Sequence, residues 1–377
     1  MFVQLVFFIL AYFGLWMYKE NGTPFQRQQA HKKYVIFLMV LLILQSGLRN
    51  VAVGDDTYQY YFHFDSAMKS TWSQVLFDAG MQGAKDPGYS ILTKLFSMVF
   101  PSYRLYLIAI AIFFFTALGR LLYRYLETNL DVFVSIALYQ CLYYGFFSIT
   151  GLRQTIATGI LLFALPFALE KRAGFKNAFW FWAFLFLATT IHKTAFLFAP
   201  VYFLPRIRNN KIVFWGALIL FVPMFSAGSF IGPFLAASDF EQYAHYLKQG
   251  DTLGATVFTL FIVTIFLAVF FKLKTIDSFS SCNHVFTSAI AIATFLSPLL
   301  ILNPNNMRVV QYYSIFALIV LPMLCKAYSG YFGKKQLYYI LFGVFALYTI
   351  IRQEPYAFFW QDMAFEDTGM MLNDSNL

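Results

Sequence analysis

The sequence predicts an all-α, polytopic membrane protein, and three observations predict it. The chain is 60% hydrophobic and only 12% charged, about half the charged share of a soluble globular domain. Apolar runs long enough to cross a bilayer recur along its length. Between them, basic residues gather in alternate loops, as cytoplasmic loops require. The short alternating segments of a transmembrane β-barrel do not occur. The net charge of +9 therefore reads as loop placement and not as nucleic-acid binding. The 48 Phe residues suit lipid-facing surfaces.

Twelve transmembrane helices are expected, near 2–18, 34–48, 104–122, 131–149, 153–170, 178–192, 194–205, 212–230, 254–271, 285–302, 308–325 and 337–351. The first starts apolar and meets its first charges, Lys19 and Glu20, only after the run. It reads as an uncleaved helix with its N-terminus outside. The pair 178–192 and 194–205 is short, and Pro200 and Pro205 limit the second member. A full helix followed by a re-entrant piece is the alternative there. The stretch DPGYSILTKLFSMVF, 86–100, carries Lys94 at its middle between Pro87 and Pro101. It falls short of the roughly 20 residues of a span, so an interfacial or half-inserted helix is expected.

Charge tests the whole trace. With 86–100 not crossing, the inner loops hold 17 of the 27 Lys and Arg but only five of the 18 acids. If it crossed, every later loop would change sides and the bias would vanish. The expected organisation is a single integral membrane domain, 1–377, with a large outer loop at 49–103 and an outer tail at 352–377. The three cysteines form no disulfide framework or metal spacing. The chain contains no Walker A motif, dinucleotide fingerprint or Gly-x-Ser-x-Gly elbow. Charges inside the spans are scarce, so no ion-coupled relay is evident.

The polar chemistry lies on the outer side. Arg49 ends the second helix, Arg153 begins the fifth in TGLRQTIATG, and Arg308 begins the eleventh in NPNNMRVVQYY. A helix N-terminus offers unpaired N–H groups and a partial positive charge. With a guanidinium added, it suits a phosphate or pyrophosphate. Gln154 and Asn306 supply amides beside Arg153 and Arg308, and Gly151 leaves the backbone open to close approach. For any one of these arginines, snorkelling to lipid headgroups is the alternative. His192, beside Lys193, is a candidate base that its cationic neighbour would keep neutral; an interfacial histidine is the plainer reading. His63 and His245 also face outward, in looser loops. Asp55 and Asp56 are a candidate base or sugar-positioning pair, or a structural partner of Arg49. Tyr58, Tyr61 and Tyr312 offer aromatic faces and hydroxyls to a sugar, although Tyr is common at membrane interfaces.

Four stretches together carry a resemblance: SGLRN followed by GDDTYQYYFHF (46–64), KDPGYSILTKLF (85–96), TGLRQTIATGILLFAL (150–165) and IHKTAFLFAPVYFLP (191–205). On these the chain resembles the EpsG family of bacterial exopolysaccharide proteins, related to Wzy-type O-antigen polymerases. The resemblance covers about the first 205 residues well; the C-terminal third matches only by its helices and the arginine before QYY. It implies a GT-C-like glycosyltransferase of the inner membrane, with its active site on the periplasmic face. The implied reaction moves a growing glycan from polyprenyl pyrophosphate to the non-reducing end of a lipid-linked repeat unit. The implied partners are a flippase and a chain-length regulator, with no cofactor, metal or nucleotide sugar.

In that reaction Arg153 and Arg308, helped by Arg49, Gln154 and Lys193, would hold the pyrophosphate. His192 or Asp55 and Asp56 would act on the acceptor hydroxyl, and Asn306 and the tyrosines would contact sugar. The rival readings are an oligosaccharide ligase, a flippase, which would need a polar path to both faces, and a membrane O-acyltransferase, which would need a cytoplasmic histidine constellation.

Overall fold

The computed structural model describes residues 2–54, 56–80, 86–170, 174–207, 210–226, 253–280, 282–331, 333–352, 355–364 and 371–372. Asp55 and His245 lie outside the described residues. The chain divides into two compact units. The first is Met1–Phe163 with Phe186–Lys193 and Lys335–Leu377; the second is Ala164–Leu185 with Thr194–Lys334.

The first unit opens with α1 (Phe2–Met17) and α2 (Pro24–Gly47). Thr23 and Gln26 form a capping box at the start of α2, with Pro24 in the first turn, where its missing N–H costs nothing. The expected outer loop is itself helical: α3 (Thr57–Lys69), α4 (Trp72–Gly80) and α5 (Pro87–Val99). The 13 residues of α5 match the short helix expected at 86–100. Next come α6 (Tyr103–Tyr125) and α7 (Asn129–Leu142), the latter begun by a Thr128–Asp131 capping box. A π-helical turn at Tyr144–Thr150 leads into α8 (Leu152–Leu169). The boundary between the units passes within α8 and within α9 (Phe175–Ile191).

Two glycines bring α2 and α6 together. A Cβ on Gly119 of α6 would meet Met39 Cγ at 2.6 Å, and one on Gly47 of α2 would meet the Ile108 backbone at 3.1 Å. Small residues at such crossings let backbones approach, which lipid-embedded helices need to pack well.

The second unit holds a 3-10 helix at Lys193–Tyr202, a 3-10 turn at Leu204–Arg206, α10 (Lys211–Met224), α11 (Leu253–Phe279), α12 (Asn283–Leu296) and α13 (Pro298–Leu302). A 3-10 turn at Pro304–Asn306, α14 (Met307–Ser314) and α15 (Ala317–Ala327) follow. The chain then re-enters the first unit with α16 (Lys334–Ile351).

Among the described residues, five helical stretches are long and apolar enough to cross a membrane: α2, α6, α8, α11 and Asn283–Leu302. Counting each bent pair as one span raises the number to seven: α7 with the π turn, bent by 67°, and Pro304–Ser314 with α15, bent by 59°. Three shorter apolar helices, Val3–Met17, Phe175–Ile191 and Lys211–Met224, fall below that length. Among the described residues five to seven stretches thus pass against the twelve expected: two of the expected helices are broken, others are short, 194–205 is 3-10 rather than α, and the end of 212–230 lies outside the described residues. Pro200 lies inside that 3-10 stretch, where it has no N–H to donate.

The break after α7 frees carbonyls in a low-dielectric setting, where each must find a donor. Ser46 Oγ donates to Ser148 O at 3.0 Å, Thr155 Oγ1 to Phe147 O at 2.7 Å, and Arg49 Nη2 to Ile149 O at 3.3 Å. The Gly151 N–H donates to Phe146 O at 2.7 Å, the five-residue step of a π turn.

The expected outer tail is partly stitched down. Asn50 N donates to Ala357 O at 2.8 Å and Phe359 N to Leu48 O at 3.0 Å. Asn50 Nδ2 donates to Gln361 O at 2.6 Å, and Arg104 lies 4.1 Å from the Phe359 ring centroid.

Thr155 is 2% exposed. Thr155→Val keeps its shape but leaves the Phe147 carbonyl without that donor. The expected cost is about 1–3 kcal/mol, read as a lower midpoint in thermal unfolding of the detergent-solubilised protein.

Candidate functional site

Within the first unit, three stretches far apart in sequence meet at Asp86. This residue occupies the N-cap position of α5, just before Pro87. A carboxylate there is favoured by the positive end of the helix. Its side chain is 3% exposed and makes an ion pair with Arg153, Nη1 to Oδ2 at 2.6 Å. The other oxygen, Oδ1, accepts the backbone N–H of Lys193 at 3.1 Å. His192 Nδ1 stands 3.7 Å from Oδ2. The cluster therefore joins the starts of α5 and α8 to the end of α9.

Local backbone geometry permits the meeting. Gly88 lies against the end of α9, where a Cβ would sit 2.4 Å from Thr190 Oγ1 and 2.9 Å from the Thr190 carbonyl carbon. Any side chain at position 88 would push α5 away and carry Asp86 with it. Arg153 is the second residue of α8, the helix-start position expected of it. Its guanidinium carbon lies 5.8 Å from the Tyr60 ring centroid and 5.9 Å from that of Tyr89, both within cation–π range. Its buried Nε has no hydrogen-bond partner among the described residues.

A cavity of about 320 Å³ opens beside this pair, with Tyr60, His63, Asp78, Asp86, Tyr89 and Arg153 in its wall. That volume is at the small end of ligand pockets. The His63 ring stacks on Tyr89 with centroids 5.1 Å apart. Burial, and secondly the charge of Arg153, push the His63 imidazole below its ordinary value of 6.5. The site thus combines a cation with unused donor capacity, a buried carboxylate, imidazoles and aromatic faces. Such a set can bind an anion and move a proton.

The other residues singled out by sequence are placed as follows. Arg49 is 3% exposed, and its guanidinium donates to Ser46 O at 2.6 Å and to Ile149 O. It caps the end of α2 and braces the π turn. At Gly151 the expected open approach is filled, since a Cβ would meet the Phe146 ring at 2.7 Å. Gln154 is buried. Asp56 holds the N-cap position of α3 without a side-chain cap bond. The Tyr58 hydroxyl accepts from Gln59 Nε2 at 3.3 Å, and the Tyr61 ring meets Tyr103 edge-on at 5.5 Å.

Arg308, Asn306 and Tyr312 belong to the second unit. Arg308 is the second residue of α14, again the expected helix start. Asn306 Nδ2 donates to Leu299 O at 2.8 Å, and the Tyr312 and Thr194 hydroxyls lie 3.3 Å apart.

Sequence reasoning looked to Asp55 and Asp56 for the carboxylate and passed over Asp86, whose signal was an acid set before Pro-Gly at the head of a half-inserted helix. It also ranked His63 low. Among the described residues, no group of three or more His, Cys, Asp or Glu could hold a metal ion.

A model of the EpsG family matches residues 32–359, most of the chain. No curated protein matches the chain, and neither does any solved structure.

Asp86→Ala leaves Arg153, only 22% exposed, without its counter-charge. The expected loss is about 3–5 kcal/mol, nearer the lower figure because Arg153 keeps some solvent access. The double variant Asp86→Ala/Arg153→Ala should lose less than the two single losses summed. Thermal unfolding of the four proteins as a double-mutant cycle measures the coupling.

Proposed function

The chain belongs to the EpsG family, and from that premise we propose that it polymerises lipid-linked oligosaccharide repeat units. The observation that carries the reading is the meeting of Asp86, Arg153 and His192, from three separated segments, beside a cavity in the first unit. The donor is a glycan on polyprenyl pyrophosphate, already activated by its leaving group. The enzyme must hold donor and acceptor together, stabilise the departing diphosphate and accept one proton.

Arg153 is the diphosphate contact. Asp86 fixes one end of its guanidinium, Tyr60 hydrogen-bonds it, Tyr60 and Tyr89 flank it, and its Nε keeps an unused donor. The first turn of α8 adds unpaired backbone N–H groups and the positive end of the helix dipole. Both act on charge that grows as the sugar–oxygen bond breaks, so they favour the transition state over the ground state. His192 stands beside Asp86 and steadies its carboxylate. Lys193 and Gln154 add a cation and an amide near Arg153 in the chain, and Tyr58, Tyr61, Asp55 and Asp56 are the candidate contacts for sugar and acceptor hydroxyls.

The same proposal makes the protein a GT-C-like transferase of the bacterial inner membrane that needs no metal or nucleotide. An outward-facing site is part of the same proposal, on the basic bias of alternate loops expected from the sequence. A flippase supplies the units, and a chain-length regulator acts on the product.

Purified protein in lipid nanodiscs, given a polyprenyl-pyrophosphate-linked repeat unit, should produce a ladder of lengthening glycans on a gel. Arg153→Ala should cut turnover by about 10²–10³-fold, the usual loss when one such charge-stabilising donor is removed. Arg153→Lys should restore only part, since it loses the forked geometry. Long polymer from folded Arg153→Ala would overturn the assignment.

A further inference from the structure

The proposed transfer needs a group to take the acceptor proton, and the cavity wall offers several. Asp86 is poorly suited, because Arg153 and the Lys193 N–H already occupy its two oxygens. Asp78 is exposed at the cavity edge, where water would compete for it. His192 stands 3.7 Å from Asp86 and is not one of the lining residues. His63 differs on each count. It lines the cavity. Its Nε2 is buried and has no hydrogen-bond partner among the described residues. Its ring is held in place by stacking on Tyr89, 5.1 Å away with the planes 22° apart. It also stands one helical turn from Tyr60 on α3, so the two project from the same face. A buried imidazole nitrogen with nothing to bond, on a ring that lines the cavity, is a fitting acceptor for a ligand's O–H.

We propose that His63 is the catalytic base of this transfer, an assignment that rests on the polymerase reading above. The incoming sugar hydroxyl gives its proton to His63 Nε2, with the other ring proton on Nδ1. The hydroxyl oxygen forms the new bond to the anomeric carbon of the donor. The bond from that carbon to the diphosphate oxygen breaks, and the diphosphate leaves with the electron pair toward Arg153. His63 then returns its proton to water or to the released diphosphate. Tyr89 holds the ring, so it is a positioning residue.

The groups facing His63 are Tyr60 on its own helix, Asp78 on α4, Asp86 and Tyr89 on α5, and Arg153 on α8. Burial and Arg153 favour the neutral imidazole. The base form is therefore present at neutral pH and is lost only when pH falls below the ordinary 6.5. Activity should fall along an acid limb centred below that pH.

Turnover of the lipid-linked unit is measured in nanodiscs from pH 5 to 8 for the wild type, His63→Gln and His63→Ala. His63→Gln should lower kcat by about 10²–10³-fold, within the range for removing a general base. Its KM should stay within about threefold and its acid limb should disappear, with an unchanged melting temperature. Added imidazole should restore part of the turnover of His63→Ala. A kcat for His63→Gln within about threefold of wild type, with the acid limb intact, overturns the base assignment alone. So does a folded His63→Ala that imidazole leaves inactive. A wild type that forms no ladder overturns the polymerase reading and this assignment together.

Discussion

The first unit depends on one constraint: a helix broken in a water-poor setting must have its freed carbonyls satisfied. The chain breaks after α7, and donors from both neighbouring helices arrive at the break. Ser46 and Arg49 come from the end of α2, and Thr155 from the start of α8. Each bond is modest, but leaving a buried carbonyl unmet costs more than the bond itself returns. The break can therefore persist only with α2 and α8 held where they are. Because Thr155 is tied to the break, so is Arg153 two residues earlier. The cation of the site is placed by what its own helix must do for the backbone next to it.

Asp86 supplies the second fixed point. Burying a charge is expensive, and a buried pair with few other bonds is weak evidence for stability. Here the carboxylate also takes a backbone N–H and sits at a helix start. Those bonds offset part of the desolvation and give the pair a definite orientation. The outcome is a guanidinium anchored by Asp86 and flanked by Tyr60 and Tyr89, with its Nε unpartnered among the described residues. Arg49 is the instructive contrast. It has the same side chain, but its terminal nitrogens donate to Ser46 and Ile149 and so brace the break.

The spans were legible because they follow composition, and the arginines at helix starts were legible because Gly-Leu-Arg-Gln opens an apolar run. The short α5 was legible from Pro87, Pro101 and Lys94. What escaped has specific causes. Helices α3 and α4 lack the long apolar runs that reveal a span. The break at Tyr143 leaves no proline in the sequence, since Tyr-Tyr-Gly continues an apolar stretch. Asp86 and Arg153 are 67 positions apart, and nothing local tells a buried acid from a loop acid. Arg49 and Arg153 look alike in sequence, each after Gly-Leu, and differ only in which acceptors surround them. The twelve expected spans were drawn from hydrophobic runs and loop charge, neither of which registers a kink or a 3-10 turn.

The stitching of residues 355–361 to the end of α2 has a consequence for how the protein is made. Asn50 and Gln361 are 311 positions apart, so the C-terminal end of α2 lacks this partner until nearly the whole chain, α16 included, has been made. Early helices can insert one after another, but this region matures only when nearly the whole chain has been threaded. Assembly is thus ordered in time, and a chain interrupted late in synthesis would carry every residue of the Asp86 cluster and still lack the seam that secures the helix end nearby.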